Sequence, residues 1–317
     1  MSSPNTNFAD RLIEAILAKG TPCVVGLDPR VDLFPTFITD PFTRSDPETA
    51  IYGSIAAYHR FVIDLVAARV PAVKLQIAFY EQYGVAGLTA FAETVRIARA
   101  AGLVVIVDAK RGDIGPTDEA YARAFLGRSE VFGTQMPIFD VDCITVAPYL
   151  GRDSLEPFVR ACKDWGKGIF VLVRTSNPSA GDFQDLITAS GRPVYEEVGV
   201  LVEEIGRDLI GRHGYSSIGA VVGAPYPHEA HRLRLRMPHT PFLVPGYGAQ
   251  GASADDATAA FDANGLGAII NASRSITYAH ETRDTSSEDL SDIITSRLET
   301  MVNSVTRAIR AQRHSTR

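Results

Sequence analysis

A lysine set among acids follows one of the apolar runs of the chain: Val104-Val-Ile-Val-Asp108-Ala-Lys110-Arg-Gly-Asp113. An ammonium among carboxylates can hold and deliver a proton. Alternate residues of a strand point to one face, so Asp108 and Lys110 share a face and Ala109 points away. Asp113 follows in a glycine-containing turn and can fold back toward them. Charges at the end of an apolar strand are costly unless paired or functional, and α/β folds build active sites at that end. The plainer alternative is a solvated loop with an ordinary Asp108–Lys110 ion pair. It loses ground because other apolar runs also end in polar groups.

The first such run ends Gly26-Leu27-Asp28-Pro29. The second carries Lys74 between Val73 and Leu75, either as a site cation or as a lysine snorkelling from a strand edge. The fifth runs into Arg174-Thr175-Ser176-Asn177-Pro178. Brought to one mouth, Lys74, Asp108, Lys110 and Asp113 form an array of alternating charge. The seventh run leads into Pro245-Gly246-Tyr-Gly248-Ala-Gln250-Gly251, and the eighth into Asn271-Ala-Ser-Arg274-Ser275. Glycines let backbone N–H groups approach an anion, and an arginine fork clamps phosphate. The alternative is a plain turn followed by a surface arginine. Residues 246–251 fit G-x-G-x-x-G, but no acid ends the next strand, so the loop reads as a phosphate cradle and not as a dinucleotide fingerprint. His228 and His231 lack a third ligand nearby and read as an exposed helix face. Thr117 reads as an N-cap, with Asp118 and Glu119 complementing the helix dipole.

The elements that must position these groups are legible as apolar runs: Pro22–Leu27, Ala72–Gln76, Leu103–Asp108, Asp142–Ala147, Gly168–Val173, Ile218–Val222, Pro241–Pro245 and Gly267–Asn271. A helix-length segment follows each. Near-continuous apolar strands alternating with helices indicate a parallel sheet, and eight such units predict a single (β/α)8 TIM barrel domain over residues 1–317. A doubly wound sheet is the alternative. Such a barrel needs about 250 residues. The surplus falls in an extended loop over 28–50, a candidate lid over 175–193 and a C-terminal helical extension through Ile293, Ile294, Leu298, Met301 and Val305. An amphipathic helix through Phe8, Leu12, Ile13, Ile16 and Leu17 opens the chain and lacks signal-peptide character.

Composition is that of a globular protein: 317 residues, 45% hydrophobic, 21% charged, net charge −6. There is no basic block for nucleic acid and no run long enough to span a membrane. Three scattered cysteines, Cys23, Cys143 and Cys162, read as buried small residues, which fits a reducing cytoplasm.

Together these segments resemble orotidine 5′-phosphate decarboxylase, in its longer bacterial branch. The resemblance rests on Val25-Gly-Leu-Asp28-Pro29, Lys74-Leu-Gln-Ile-Ala-Phe-Tyr-Glu-Gln-Tyr-Gly84, Asp108-Ala-Lys110-Arg-Gly-Asp113-Ile-Gly and Pro148-Tyr-Leu-Gly-Arg-Asp-Ser-Leu-Glu-Pro157. It continues through Thr175-Ser-Asn-Pro-Ser-Ala-Gly-Asp-Phe-Gln184, Pro245-Gly-Tyr-Gly-Ala-Gln250 and Asn271-Ala-Ser-Arg274. It implies a homodimer without cofactor or metal that converts orotidine 5′-monophosphate to UMP and CO2. Lys110 would protonate C6, with Asp108 beside the departing carboxylate. Lys74 and Asp28 would contact the ribose and hold the charges. Asp113 and Thr117 would reach into the neighbouring subunit's site. Ser176 would read the pyrimidine edge, while Gln250 and Arg274 would hold the phosphate. Pro116 departs from many members outside this branch. The rivals are a Mg-dependent sugar-phosphate decarboxylase or aldolase of the same superfamily, which would want an acid where Lys74 stands, and a non-catalytic nucleotide-binding protein.

Overall fold

The structure is a computed structural model that describes residues 6–247 and 253–315. Its strands in chain order are β1 (Cys23–Gly26), β2 (Ala72–Gln76), β3 (Val104–Arg111), β4 (Ser129–Val131), β5 (Thr134–Met136), β6 (Cys143–Val146), β7 (Gly168–Arg174), β8 (Ile218–Val222), β9 (Phe242–Val244) and β10 (Ala268–Ala272). Eight of them close into a barrel in the order β1-β2-β3-β6-β7-β8-β9-β10. β1 pairs in parallel with both β2 and β10, so the sheet has no edge and the doubly wound alternative falls away. Each apolar run overlaps one barrel strand, and β3, β7 and β10 run one to three residues past the end of theirs. Residues on both faces of these strands are buried, the inner face against the barrel interior and the outer against helices, which is why the runs lack alternation.

The helix Phe8–Lys19 plugs the N-terminal end of the barrel. Phe8, Leu12, Ile13 and Ile16 pack with Val24, Ala72, Ile106, Phe170 and Ile269. Leu17 corrects the sequence reading: it is 57% exposed and lies off the packed stripe. With that end closed, the functional mouth is left at the C-terminal ends of the strands.

The segment after β1 is more structured than an extended loop. It holds short helical turns at Val31–Leu33, Thr36–Thr39 and Asp40–Phe42, and ends where Asp46 caps the helix Pro47–Val66. Phe34 stacks on Tyr58 at 4.3 Å and on Tyr278 at 6.3 Å between ring centroids. The Tyr278 hydroxyl donates to the Asp28 carbonyl at 2.9 Å. The C-terminal extension is the helix Ser287–Ser315, which buries Leu290, Ile294, Leu298, Met301 and Val305 while Ile293 is half-buried. β4 and β5 form an antiparallel hairpin that no apolar run announced. All three cysteines are buried free thiols.

Candidate active site

β3 does not run straight into the site. Between Val107 and Arg111 it advances four residues while β6 advances two, from Ile144 to Val146. Lys110 takes φ 47°, a left-handed backbone rarely adopted by a residue with a side chain. Asp108 and Lys110 do share the mouth, but through this bulge and not through the simple alternation read from the sequence. Ala109 is buried behind them.

Asp108 is the hub. Its Oδ1 accepts the Lys110 ammonium at 2.6 Å and the Thr145 hydroxyl at 2.8 Å. Its Oδ2 accepts Gln76 Nε2 at 2.9 Å and lies 3.6 Å from Lys74 Nζ. Burial by itself would raise this carboxyl, but Lys74, Lys110 and the hydrogen bonds from Lys110 and Thr145 outweigh it and hold it below the ordinary carboxylate value. Lys74 is no snorkelling edge lysine: its side chain is 7% exposed. Burial disfavours its charge, yet Asp28, with Oδ1 at 4.0 Å, and Asp108 reverse the balance and raise its pKa. Asp28 Oδ1 also accepts the backbone N–H of Gln76 at 3.1 Å.

A cavity of about 530 Å³ opens over Lys74, Asp108, Lys110, Thr145 and Ser176, with Leu172, Val221 and Leu243 on the opposite wall. Ser176 stands against Gly223, where any Cβ would come within 2.9 Å of the Ser176 Cβ. The 175–193 segment is anchored at its root. Arg174 is buried, pairs with Asp185 at 2.9 Å and lies 4.1 Å over the Tyr226 ring. Gln184 closes back onto Thr175, accepting its N–H at 3.0 Å and donating to its hydroxyl at 2.7 Å.

A second cavity of about 300 Å³ adjoins the first across the Asp28–Lys74 contact and is lined by Gly246, Tyr247, Ser273 and Arg274. Gly26 allows this approach, since a Cβ there would meet Ser273 Oγ at 1.7 Å. Arg274 opens the short helix Arg274–Thr277, is exposed and makes no ion pair among the described residues. Gly248 and Gln250 of the sequence-predicted cradle lie outside the described residues.

Asp113 does not join the charge array. Among the described residues its side chain takes only the N–H of Ile114, at 2.8 Å. The buried carboxylate of Asp118 accepts the Asp113 N–H at 2.8 Å, a local contact beyond the dipole role read for it. Thr117 is exposed and is not an N-cap: Gly115 is the cap, and Pro116 takes the first helical position of Pro116–Phe125. His228 and His231 are exposed, as read from the sequence. Sequence reasoning missed Gln76 and Thr145. Both sit inside apolar strands, and threonine in a strand is unremarkable by propensity.

The arrangement offers a fixed ammonium at an apolar-walled cavity, a saturated carboxylate beside it and an arginine-lined recess next door. Comparison with known proteins bears on the family. Residues 46–288 match the model of the Orotidine 5′-phosphate decarboxylase / HUMPS family. The chain is 48% identical over 277 residues to the orotidine 5′-phosphate decarboxylase of Rhodopirellula baltica, covering 86% of this chain and 89% of that one. It is 41% identical to that of Caldicellulosiruptor bescii, covering 87% and 90%. The solved OMP decarboxylase of Leishmania donovani superposes with a TM-score of 0.72 at 28% identity, covering 96% of this chain and 99% of that one. The Plasmodium berghei orotidine 5′-monophosphate decarboxylase superposes with a TM-score of 0.78 at 18% identity, which speaks to the fold alone, covering 96% and 99%. Sequence, barrel and site converge: the chain belongs to the orotidine 5′-phosphate decarboxylase / HUMPS family.

Proposed function

We propose that the chain decarboxylates orotidine 5′-monophosphate to UMP and CO2, with Lys110 as the proton donor. The observation that carries this is the Lys74–Asp108–Lys110 cluster, 3.6 Å on one side and 2.6 Å on the other. When the bond from C6 to the carboxylate breaks, its electron pair stays on C6, in a ring that cannot readily delocalise it. A preorganised cation stabilises that charge as it forms, and Lys110 then gives C6 a proton. Lys110 is left neutral and regains a proton from solvent. Asp108 orients the ammonium. Ser176 reads the pyrimidine edge, Asp28 and Lys74 hold the ribose, and Arg274, with Gly248 and Gln250, takes the phosphate. Binding energy from the phosphate, remote from C6, helps close the 175–193 segment.

The family name also covers another chemistry, so the metal-dependent rival needs an answer. Asp28 and Asp108 are both committed to ammonium groups. A divalent cation placed among them would meet two positive charges at contact range. The lysines thus occupy the position a metal would need.

The active species in this reading is a homodimer, with Asp113 and Thr117 completing the partner's site. Asp113 is unengaged with its own lysines, and Ile114 and Tyr149 beyond the same barrel end are 60% and 87% exposed. The test is ultraviolet conversion of orotidine 5′-monophosphate to UMP in the presence of EDTA. Conversion is expected with the native chain, and none with Lys110→Ala, which still binds UMP. No conversion by the native chain, or loss of it to EDTA, overturns the reading. Turnover by Lys110→Ala at near-native rate removes that residue from the chemistry.

A further inference from the structure

The bulge in β3 leaves backbone groups that the β6 ladder does not pair. One of them, the N–H of Lys110, is taken by the Thr145 hydroxyl at 2.9 Å. The same hydroxyl donates its own proton to Asp108 Oδ1 at 2.8 Å, the oxygen that also holds the Lys110 ammonium at 2.6 Å. Thr145 is 1% exposed, on β6, opposite the bulge. Lys110 meanwhile sits in left-handed backbone that a lysine adopts only when its surroundings enforce it.

We propose that Thr145 is a positioning residue for the reaction: one hydroxyl ties the main chain of Lys110 to the carboxylate of Asp108 and thereby aims the ammonium. A threonine suits the task because its branched Cβ limits χ1 on a strand, so the hydroxyl keeps one direction. It must be a group that donates and accepts at once. An amide of similar reach is larger, and valine has the shape without either function.

Among the described residues, the groups that face Asp108 are few. Lys110 comes from its own strand, Lys74 and Gln76 from β2, Thr145 from β6, and Asp28 stands beyond Lys74 at the end of β1. From β7, β8 and β9 the cavity receives Leu172, Val221 and Leu243, which carry no charge. Loss of the Thr145 hydrogen bond therefore has no ready substitute among the described residues, and Asp108 then accepts a proton more easily.

The inference rests on Lys110 as the donor, and the test separates the two claims. Thr145→Val and Thr145→Ser are compared with the native chain and with Lys110→Ala. The readouts are kcat, KM, UMP affinity, melting temperature and the acid limb of the kcat profile. Thr145→Val is expected to lower kcat about 10- to 100-fold, the range that one lost hydrogen bond to a charged group converts to, with KM and UMP affinity within about threefold. Its acid limb moves to higher pH, and Thr145→Ser restores both rate and limb. Native kcat in Thr145→Val beside an inactive Lys110→Ala overturns the positioning role alone. So does a fall in kcat with an unmoved acid limb, or a serine variant as slow as the valine one. Should Thr145→Val fail to fold, Thr145→Cys, which keeps the size and weakens both bonds, is judged by the same criteria.

Discussion

Lys74→Met is the sharpest probe of the charge array. The substitution keeps the buried stem and removes one ammonium that lies 4.0 Å from Asp28 and 3.6 Å from Asp108. Breaking a buried pair by deleting one partner costs about 3–5 kcal/mol, because the other charge is stranded. Asp108 keeps Lys110, Thr145 and Gln76, so the lower end, about 3 kcal/mol, applies here. That corresponds to a melting point lower by about 5 °C in a domain of this size. The sign with pH follows from Asp108. Its folded pKa lies below the ordinary 3.8, so its stabilisation is full above that value and is lost as pH falls through the folded pKa. Without Lys74 the folded pKa rises, and acid unfolding begins at higher pH. Turnover falls by at least about 100-fold, since about 2.7 kcal/mol of transition-state organisation goes with the cation. Calorimetry at two pH values and steady-state assays read these effects. The decisive control is Lys74→Met with Asp28→Asn, which removes the stranded charge and should recover about half of the lost stability. A melting point within about 1 °C of native, or strict additivity in the double variant, refutes the electrostatic account.

Arg274→Ala is expected to raise KM about 10- to 100-fold with a smaller fall in kcat, if the arginine holds the remote phosphate as proposed; unchanged kinetics remove it from that recess. Inactive Lys110→Ala and inactive Asp113→Ala chains, mixed and re-equilibrated, should recover about a quarter of native activity, because each hybrid dimer holds one intact site. No recovery from demonstrated hybrids counts against a shared Asp113. His59 is buried with Nδ1 at 3.1 Å from both Thr94 Oγ1 and the Tyr80 hydroxyl, and burial pushes its pKa from 6.5 to about 3. Between those values the unfolded chain binds a proton that the folded chain does not. Stability therefore drops by about 2 kcal/mol between pH 7.5 and 5 on this account alone. Urea unfolding of His59→Gln should show a correspondingly smaller loss, and an identical loss would acquit His59.

The barrel was legible because its strands are buried on both faces and the segments between them are helical in period. The hairpin was not: Ser129–Val131 and Thr134–Met136 are short and mostly exposed, so neither alternation nor an apolar run marks them. The acids and lysines of the mouth were legible by type and position. Their partners were not, since Gln76 and Thr145 look like ordinary strand residues until Asp108 is seen between them. Thr117 misled for a related reason. Threonine before acids is an N-cap pattern, but Pro116 begins the helix one residue earlier and leaves Gly115 as the cap. Asp113 was expected to turn back on its own lysines. It turns instead into a loop pinned by Asp118.

The bulge explains why the period-two reading of Asp108 and Lys110 gave the right face for an incomplete reason. In an unbroken strand Lys110 would lean along β3 as a neighbour of Asp108, with its N–H in the ladder to β6. Two extra residues lift that backbone out of the ladder and bring Lys110 Nζ onto Asp108 Oδ1. Such a backbone is strained, at a cost of order 1–3 kcal/mol, and persists only if its surroundings over-determine it. Thr145 from β6 and Gln76 and Lys74 from β2 supply that determination, each through Asp108 or the Lys110 main chain. A cation fixed in this way does not have to reorganise when charge appears on the substrate, which is the condition under which electrostatic stabilisation is most effective. The same rigidity implies that changes in β6 and β2 should reach the Lys110 ammonium as directly as changes in its own strand.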